Sequence, residues 1–545
     1  MNQKNQMQTT HQPALFKQME NPEFYPHSAD SVKILETHIS KVFLAGDYVY
    51  KIKKPLDLGF LDFTTLENRK YFCGQEVLLN RRLTRNIYLD VVGITRINER
   101  YRLDGEGTPV EYAVKMRRLP DSCSMKYLMR AGRIHEPRIE ELARLLSDFY
   151  DQNSDSRPRD MEKTVETIRG NCEENFIQAE PYSGKYFDRD LFDAVRSETI
   201  SFLDRRKPIF EDRMEQNYFR DCHGDLRTGH VYFTDAGIQI IDCIEFNERF
   251  RYQDVASDLA FLVMDMEFLG YPELAGNLLS NYARFSNDFG VYRLIDFYKC
   301  YRALVRLKVK CIRLQADNLA KGERDKLLAK IRRYLALGHH YILCATQPLL
   351  WLVCGMPATG KSTIAGELGS TLKIRVINSD GVRKKMFGSL SQSPSQISFE
   401  SGIYSKSATV KTYSRMLHLA REEIENGNSV ILDATFGAGH FRREALRLAQ
   451  ETDAGILFAE CVVPENLLKQ RLKEREKKET ISDARISHYS SFQKRFEPLD
   501  DIDADSHVIV HAEQPADACV GRMLAAAYKN CKRSQGTASA LFPST

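Results

Sequence analysis

The residue pattern with the most specific chemistry is a glycine-rich segment that follows a short apolar run. The run 349–354 leads into G-x-x-x-x-G-K-S, in which Lys361 is the lysine. In such a loop the backbone N–H groups and the N-terminus of the next helix face a polyphosphate, and the lysine adds positive charge at the β and γ phosphates. The pattern predicts an ATP site in which Lys361 is also catalytic. Its predicted binding residues are Gly355, Met356, Pro357, Ala358, Thr359, Gly360, Lys361, Ser362 and Thr363.

A magnesium site is predicted beside this loop. The hydroxyl of Ser362 is one expected ligand, and the apolar segment 429–432 ends at a second, Asp433. Hydroxyl and carboxylate oxygens suit Mg²⁺, and P-loop enzymes use this pair. An apolar strand that ends in aspartate occurs in many α/β proteins, so the prediction for Asp433 depends on the loop.

The reaction must be inferred from other residues, and here a family resemblance helps. The segment 378–383, N-S-D-G-V-R, resembles the S-D-x-x-R segment of small P-loop kinases, which include polynucleotide kinase, zeta-toxin-like and chloramphenicol phosphotransferase-like enzymes. The resemblance implies that Asp380 accepts the proton of the attacking hydroxyl and that Arg383 holds the acceptor. A carboxylate at the tip of a strand beside the P-loop strand is suitably placed for this role. Alternatively, Ser379 or Asp380 caps a helix.

A lid is predicted further along the chain. Arg471 and Arg475 lead into a charged segment, 474–485, that looks like the lid of these kinases. Both arginines are predicted to be catalytic, because lid arginines can neutralise charge on the transferred phosphoryl group while lid closure excludes water. The alternative for either arginine is a solvated helix face. The resemblance covers about residues 350 to 510.

A second candidate site lies in the N-terminal half. The segment 223–230, H-G-D-L-R-T-G-H, precedes an apolar strand and then Asp242, and it resembles the catalytic loop and metal segment of aminoglycoside phosphotransferase-like kinases. The resemblance implies that Asp225 is the base and that Asp242 and His230 are metal ligands. The family usually has Asn at the position of His230, and imidazole is a poor Mg²⁺ ligand. Glu245 is a substitute carboxylate. A weak kinase, a pseudokinase and a kinase with altered metal geometry all remain open.

Two lysines could bind phosphate in this half. The segment 48–53 alternates as a strand does, so Lys51 and Lys53 share a face. Lys51 is the preferred phosphate-binding lysine, and Glu76, in the helical stretch that follows, is its predicted ion-pair partner. The alternative is a surface pair.

At least two domains must position these residues, because 545 residues exceed what one core usually supports. We predict a polar tail (1–25), a two-lobed protein-kinase-like domain (26–347), a P-loop domain with a doubly wound parallel sheet (348–532) and a flexible tail (533–545). The fold class is therefore α/β plus α+β. In 26–347 strands precede helices, whereas after residue 347 short apolar runs alternate with helical ones.

Composition limits the remaining classes. A net charge of +4 gives no strong nucleic-acid signal, and the longest apolar run is too short for a membrane span. The polar N-terminus lacks the pattern of a signal peptide. The 12 cysteines include no C-x-x-C pair, which predicts free, mostly buried thiols and a cytoplasmic location.

The predicted function is ATP-dependent transfer of a γ-phosphate to a hydroxyl of a small molecule or nucleotide, with Mg²⁺ as cofactor. The arrangement as a whole resembles a bacterial branch in which an aminoglycoside phosphotransferase-like domain is fused to a P-loop kinase. One alternative is an ATP-hydrolysing switch with an N-terminal pseudokinase that binds a ligand. Another is a nucleic-acid end kinase, which would need a basic groove. Neither the acceptor nor the oligomeric state is predicted.

Overall fold

The computed structural model describes residues 11–59, 61–154, 161–315, 319–387, 405–475, 486 and 489–533, without the side chains of 161, 475 and 531–533. The chain divides into two compact units. The first comprises residues 1–170 and 210–278, and the second comprises residues 171–209 and 279–545. The domain boundaries predicted from the sequence remain predictions, and the predicted tail at 533–545 falls almost wholly outside the described residues.

The strands, in chain order, are β1 (Val32–Glu36), β2 (Ser40–Ala45), β3 (Tyr48–Lys53), β4 (Tyr88–Ile97), β5 (Arg100–Leu103), β6 (Pro109–Arg117), β7 (Phe219–Asp221), β8 (Val231–Thr234), β9 (Gly237–Ile240), β10 (Tyr252–Asp254), β11 (Leu349–Cys354), β12 (Arg375–Asn378), β13 (Val430–Asp433), β14 (Gly455–Val462) and β15 (His507–His511).

The helices are α1 (Gln12–Met19), α2 (Leu66–Asn80), α3 (Met125–Arg130), α4 (Glu136–Gln152), α5 (Met161–Ala179), α6 (Arg189–Arg205), α7 (Lys207–Glu215), α8 (Val255–Phe268), α9 (Pro272–Ser286), α10 (Ile295–Arg313), α11 (Lys321–Thr346), α12 (Lys361–Leu372), α13 (Ser379–Phe387), α14 (Lys406–Glu425), α15 (Gly439–Glu451), α16 (Glu465–Arg475), α17 (Tyr489–Arg495) and α18 (Ala516–Arg533).

The first unit has the protein-kinase-like fold that the sequence predicts. Its antiparallel sheet has the order β1-β2-β3-β6-β4-β5, and α2 connects β3 to β4. The hairpin of β8 and β9 follows the segment 223–230, and Asp242 follows the hairpin. The hairpin therefore carries the chain from one predicted aspartate to the other.

The N-terminal segment differs from the predicted polar tail because part of it is a packed helix. Leu15 and Met19 of α1 lie four residues apart, so both face the sheet and both are fully buried. The side-chain amide of Gln12 donates to the backbone oxygen of Lys53 at 3.0 Å and to Glu111 Oε2 at 2.7 Å. A short apolar stripe and one buried amide thus fix α1 to the strand that carries the two candidate lysines.

The second unit contains the predicted parallel sheet, with the order β12-β13-β11-β14-β15. Both faces of β11 are covered. Leu350 and Leu352 pack towards α14 and α15, whereas Trp351 and Val353 pack towards α12 and α18. This burial on two faces explains why β11 is continuously apolar in sequence.

Helices that precede residue 347 also belong to this second unit. Lys299 of α10 is fully buried, donates to the hydroxyl of Tyr528 at 3.1 Å, and lies 4.2 and 4.7 Å from the ring centres of Tyr341 and Tyr528. Arg206 donates to the side chain of Asn428 at 3.2 Å. The contact with Tyr528 attaches α10 to α18, and the contact of Arg206 attaches the end of α6 to the segment before β13. Both α18 and β13 belong to the part of the unit that contains the parallel sheet.

Two further sequence expectations concern cysteines and membranes. Cys123 is partly exposed, and the other free cysteines among the described residues are buried, as expected. Cys344 departs from the expectation because it is disulfide-bonded. Within the described ranges no helix has both the length and the apolar character needed to span a bilayer.

Two glycines of α12 provide a matched test of this packing. A Cβ at Gly369 would lie 2.5 Å from Val376 Cγ2, whereas a Cβ at Gly366 would meet nothing within 4 Å. Gly366→Ala should raise the free energy of unfolding by about 0.5–1 kcal/mol through the helix propensity of alanine. Gly369→Ala should lower it by about 1–3 kcal/mol through overpacking.

Denaturant unfolding followed by the fluorescence of Trp351, the one tryptophan of the chain, would measure both changes. Equal effects of the two substitutions would contradict the packing of α12 against β12.

Candidate active sites

The glycine-rich segment forms a tight turn between β11 and α12. Gly355, Ala358 and Gly360 have φ values of 126°, 70° and 99°. A Cβ at Gly355 would lie 2.4 Å from the backbone oxygen of Cys461, so only glycine fits there. The N–H of Gly355 donates to the backbone oxygen of Thr435 at 3.1 Å. The strand–loop–helix context that the motif requires is present.

The loop lysine lies across its own loop. Nζ of Lys361 donates to the backbone oxygen of Met356 at 2.7 Å, and Oγ1 of Thr359 donates to the same oxygen at 2.9 Å. Ser362 and Thr363 follow in the first turn of α12 and are exposed. This places an ammonium, two hydroxyls and a helix N-terminus around one concave backbone, which is the set of groups that binds a polyphosphate.

The carboxyl edge of the sheet brings the acidic residues together. Asp433 ends β13, where it is in register with Val353 of β11 and with Asn378 of β12. The side-chain amide of Asn378 donates to Asp433 Oδ2 at 2.6 Å, and its oxygen accepts the N–H of Gly381 at 2.9 Å. No role for Asn378 is predicted from the sequence. The signal that could have identified it is its position at the end of a strand, as Asp433 is at the end of the neighbouring strand.

The cap of α13 clarifies the interpretation of Asp380. The bond from the N–H of Gly381 to Asn378 caps the helix, the role that the alternative interpretation gave to Ser379 or Asp380. Nη1 of Arg383 donates to Asp380 Oδ1 at 2.7 Å. Asp380 and Arg383 therefore form an ion pair, and their roles towards an acceptor stay predictions. The expectation that Asp380 follows a strand next to the P-loop strand is wrong, because β13 lies between β12 and β11.

Arg471 contacts the glycine-rich loop. Its Nη1 donates to the backbone oxygen of Thr359 at 3.2 Å, and its Nη2 donates to that of Ala512 at 3.3 Å. The guanidinium thus joins the P-loop to the turn after β15, and its predicted catalytic role remains a prediction. The side chain of Arg475 and most of the predicted lid lie outside the described residues.

A cavity of about 410 Å³ opens beside the loop. Its walls come from the P-loop, α12, α16 and the segment between β15 and α18, and the lining residues are Ala358, Gly360, Thr363, Ile364, Arg471, Glu474, Ala512, Glu513, Gln514 and Ala516. The cavity is contiguous with the turn of the glycine-rich loop through Gly360.

In the first unit, the buried carboxylate of Asp258 holds the start of the segment 223–230. Asp258 accepts the N–H groups of His223 and Gly224 at 2.9 and 2.8 Å and the hydroxyl of Tyr150 at 3.0 Å. Gly224 has φ 87°, and a Cβ there would lie 2.9 Å from the backbone oxygen of Phe250. Backbone conformation and buried carboxylate together fix the direction in which the next residue, Asp225, projects.

The predicted metal ligands of this unit converge. One ligand atom from each of Asp225, His230 and Asp242 lies within 4.8 Å of the others. Nδ1 of His230 lies 2.9 Å from the backbone oxygen of Asp225, so this nitrogen carries the proton. Burial, and then the charge of Arg227, lower the pKa of His230 to about 4, which keeps the imidazole neutral near pH 7. Two carboxylates and one neutral imidazole fit a divalent cation.

Both candidate lysines reach the same glutamate. Nζ of Lys51 lies 2.8 Å from Glu76 Oε1 and 2.7 Å from Asp242 Oδ1, while Nζ of Lys53 lies 2.8 Å from Glu76 Oε2. Glu76 is fully buried, unlike a surface pair. Burial opposes the ionisation of Asp242, but the Lys51 ammonium holds the pKa of that carboxyl well below its usual range.

Glu245, the substitute carboxylate suggested by sequence, is paired with Lys53. Its carboxylate is bonded to Lys53, and both side chains are buried. Burial raises the pKa of Glu245 above its ordinary value, although the Lys53 ammonium opposes that shift. Glu245 lies outside the group formed by Asp225, His230 and Asp242, and its role as a substitute metal ligand stays a prediction.

The fold and the sites define a class of protein with a protein-kinase-like unit and a P-loop unit. The AAA domain family matches residues 350–499. Uncharacterised proteins of Mycobacterium tuberculosis and Mycobacterium bovis are 32% identical over 443 residues, which cover 81% of this chain and 86% of theirs. The chain belongs to the family of these mycobacterial proteins. The P-loop geometry and the domain match support a phosphotransferase-type function.

Solved structures resemble each half of the chain. A choline/ethanolamine kinase family protein from Mesorhizobium loti is 12% identical and covers 60% of this chain and 99% of its own, with a TM-score of 0.34. The APS kinase of Mycobacterium tuberculosis, solved with AMPPNP and APS, is 13% identical and covers 32% of this chain and 94% of its own, with a TM-score of 0.24.

The two lysines of β3 should differ in their effect on stability. Lys53→Met leaves Glu245 buried without its cation and should lower the free energy of unfolding of the first unit by about 3–5 kcal/mol. Lys51→Met should cost less, because Lys51 is nearer the surface and Glu76 keeps Lys53. Hydrogen exchange of β3 amides would report both changes.

The matched control is the double variant Lys53→Met/Glu245→Met, which removes both charges of the buried pair. It should be more stable than Lys53→Met alone. An equal or larger loss in the double variant would mean that the Lys53–Glu245 pair does not set the cost.

Proposed function

We propose that this protein is an ATP-dependent phosphotransferase with two modules, each of which transfers the γ-phosphate of ATP to a hydroxyl of a small molecule or nucleotide. The observation that carries the proposal is the P-loop with Lys361 in a parallel sheet whose β12 leads into the paired Asp380 and Arg383. The proposal extends the sequence resemblance, in which an aminoglycoside phosphotransferase-like domain is fused to a small P-loop kinase. We propose a cytoplasmic location because ATP is the phosphate donor.

In the C-terminal module, Lys361 would exchange its bond to Met356 for the phosphates of ATP. The oxygen of the acceptor hydroxyl would bond to the γ-phosphorus while Asp380 accepts the hydroxyl proton. The bond between the γ-phosphorus and the bridging β-phosphate oxygen would break, which releases ADP. Arg383 would orient Asp380 or the acceptor. Most of this catalysis would be positioning and charge neutralisation.

Ser362 and Asp433 are the proposed Mg²⁺ ligands of this module. Their hydroxyl and carboxylate oxygens are the donors that Mg²⁺ prefers, and the bond from Asn378 orients the carboxylate. A bound Mg²⁺ would neutralise charge on the phosphate oxygens. The cavity beside Gly360 would take the nucleoside, with Arg471 on its wall.

In the N-terminal module, Lys51 would bind phosphate, Asp225 would accept the proton, and Asp242 and His230 would hold the metal ion. The support is that these residues lie within one site, with Lys51 bonded to Asp242. The carboxylates of this site also provide the negative charge that a Mg²⁺ ion needs.

A second candidate function is an ATP-hydrolysing switch whose N-terminal unit binds a ligand without chemistry. The observation that favours it is the engagement of both Asp225 oxygens by Arg227 at 2.8 and 2.7 Å. A base whose carboxylate is paired in this way is less available to a substrate hydroxyl.

Transfer of labelled γ-phosphate from ATP to a metabolite extract tests these functions. Lys361→Ala should reduce C-terminal transfer about a hundredfold or more, because it removes preorganised charge at the phosphates. Asp225→Asn should reduce N-terminal transfer by about 10²–10⁴-fold, because it removes the proton acceptor. The exposed Lys326→Ala is the control and should have no effect.

Loss with Lys361→Ala alone would leave one working kinase and an N-terminal binding module. Label that appears only as inorganic phosphate, with no phosphorylated metabolite, would contradict the kinase function and support the switch.

A further inference from the structure

Arg227 lies inside the group of side chains that would hold a metal ion in the first unit. Its Nε donates to Asp225 Oδ1 at 2.8 Å and its Nη2 donates to Asp225 Oδ2 at 2.7 Å. The same Nη2 lies 2.8 Å from Nε2 of His230. One nitrogen of the guanidinium therefore contacts an atom from each of two candidate ligands.

The contact with His230 uses the lone pair that a metal would need. Because Nδ1 of His230 donates to the backbone oxygen of Asp225, Nε2 is unprotonated and accepts the N–H of Arg227. Nε2 also lies 3.6 Å from Asp242 Oδ2. Nε2 of His230 and both carboxylate oxygens of Asp225 thus already accept hydrogen bonds from the Arg227 guanidinium.

Helix α8 contacts this segment at two successive residues. The next residue, Thr228, donates its N–H to Asp265 Oδ2 at 3.1 Å, and the guanidinium carbon of Arg227 lies 5.9 Å from the ring centre of Phe261. A divalent cation and a guanidinium are attracted by the same two carboxylates, Asp225 and Asp242, and would repel each other within one small cluster. The two cations therefore exclude one another from the cluster.

We propose that Arg227 is an internal cation that competes with a divalent metal ion for the cluster of Asp225, His230 and Asp242. The metal binds well only when another anion, such as the phosphates of a nucleotide, draws the guanidinium away. Metal and nucleotide therefore bind the first unit with positive coupling. The part that names a nucleotide rests on the proposed function, whereas the competition itself does not.

Binding of Mn²⁺ to the full chain, followed by electron paramagnetic resonance, tests the competition without any turnover. An Asp433→Asn background removes the carboxylate of the C-terminal metal site. In this background and without nucleotide, Arg227→Gln should bind Mn²⁺ about tenfold or more tightly than the parent. Arg227→Lys is the matched control and should stay close to the parent, because it keeps the positive charge.

Adding Asp242→Asn to the Arg227→Gln chain should remove the gained affinity, which assigns the gain to this cluster. Unchanged or weaker Mn²⁺ binding by a folded Arg227→Gln chain would overturn the proposal. Where that variant does not fold, Arg227→Met keeps the apolar stem and takes its place, and equal affinities in the Met, Lys and parent chains would also overturn it.

A non-hydrolysable ATP analogue separates this inference from the proposed function. It should raise Mn²⁺ affinity more in the parent than in Arg227→Gln. If the analogue does not bind the first unit while Arg227→Gln still gains affinity, the competition stands and the N-terminal kinase proposal fails. If the analogue binds the first unit and Arg227→Gln gains no Mn²⁺ affinity, the competition fails and the N-terminal kinase proposal stands.

Discussion

A charge removed from water must be met by an opposite charge or by hydrogen bonds, and both candidate sites are built on this constraint. In the first unit the fully buried Glu76 contacts Lys51 and Lys53, and each lysine contacts a further carboxylate. In the second unit Asp433 is almost fully buried and accepts a bond from Asn378. The positions of the chemically active groups follow from how these charges are satisfied.

The same constraint explains the direction in which the reactive groups point. Asp258 uses its carboxylate on backbone N–H groups, which leaves the neighbouring Asp225 to project towards Asp242. The cap bond made by Asn378 orients the start of α13, where Asp380 pairs with Arg383. In both units, a polar side chain that is not predicted to be catalytic therefore orients a residue that is.

Much of this could be predicted from sequence because the motifs are local. The loop at 355–362 and the segment at 223–230 each fix a backbone shape within a few residues, and the continuous apolar run of β11 indicates a strand buried on both faces. The partners of Lys53 and Arg227 could not be predicted. Lys53 pairs with Glu245, which is 192 positions away in the sequence, and the pairing of Arg227 with Asp225 depends on side-chain geometry. The helix α1 was missed because it is only eight residues long and lies in a polar stretch of sequence.

The proposal that one chain carries two nucleotide sites is tested by the number of ATP-analogue molecules bound per chain with Mg²⁺ present, counted by native mass spectrometry. We expect two for the unchanged protein, and one when either Lys361→Ala or Lys51→Met is introduced. A single bound analogue that Lys361→Ala removes and Lys51→Met leaves in place would contradict the claim.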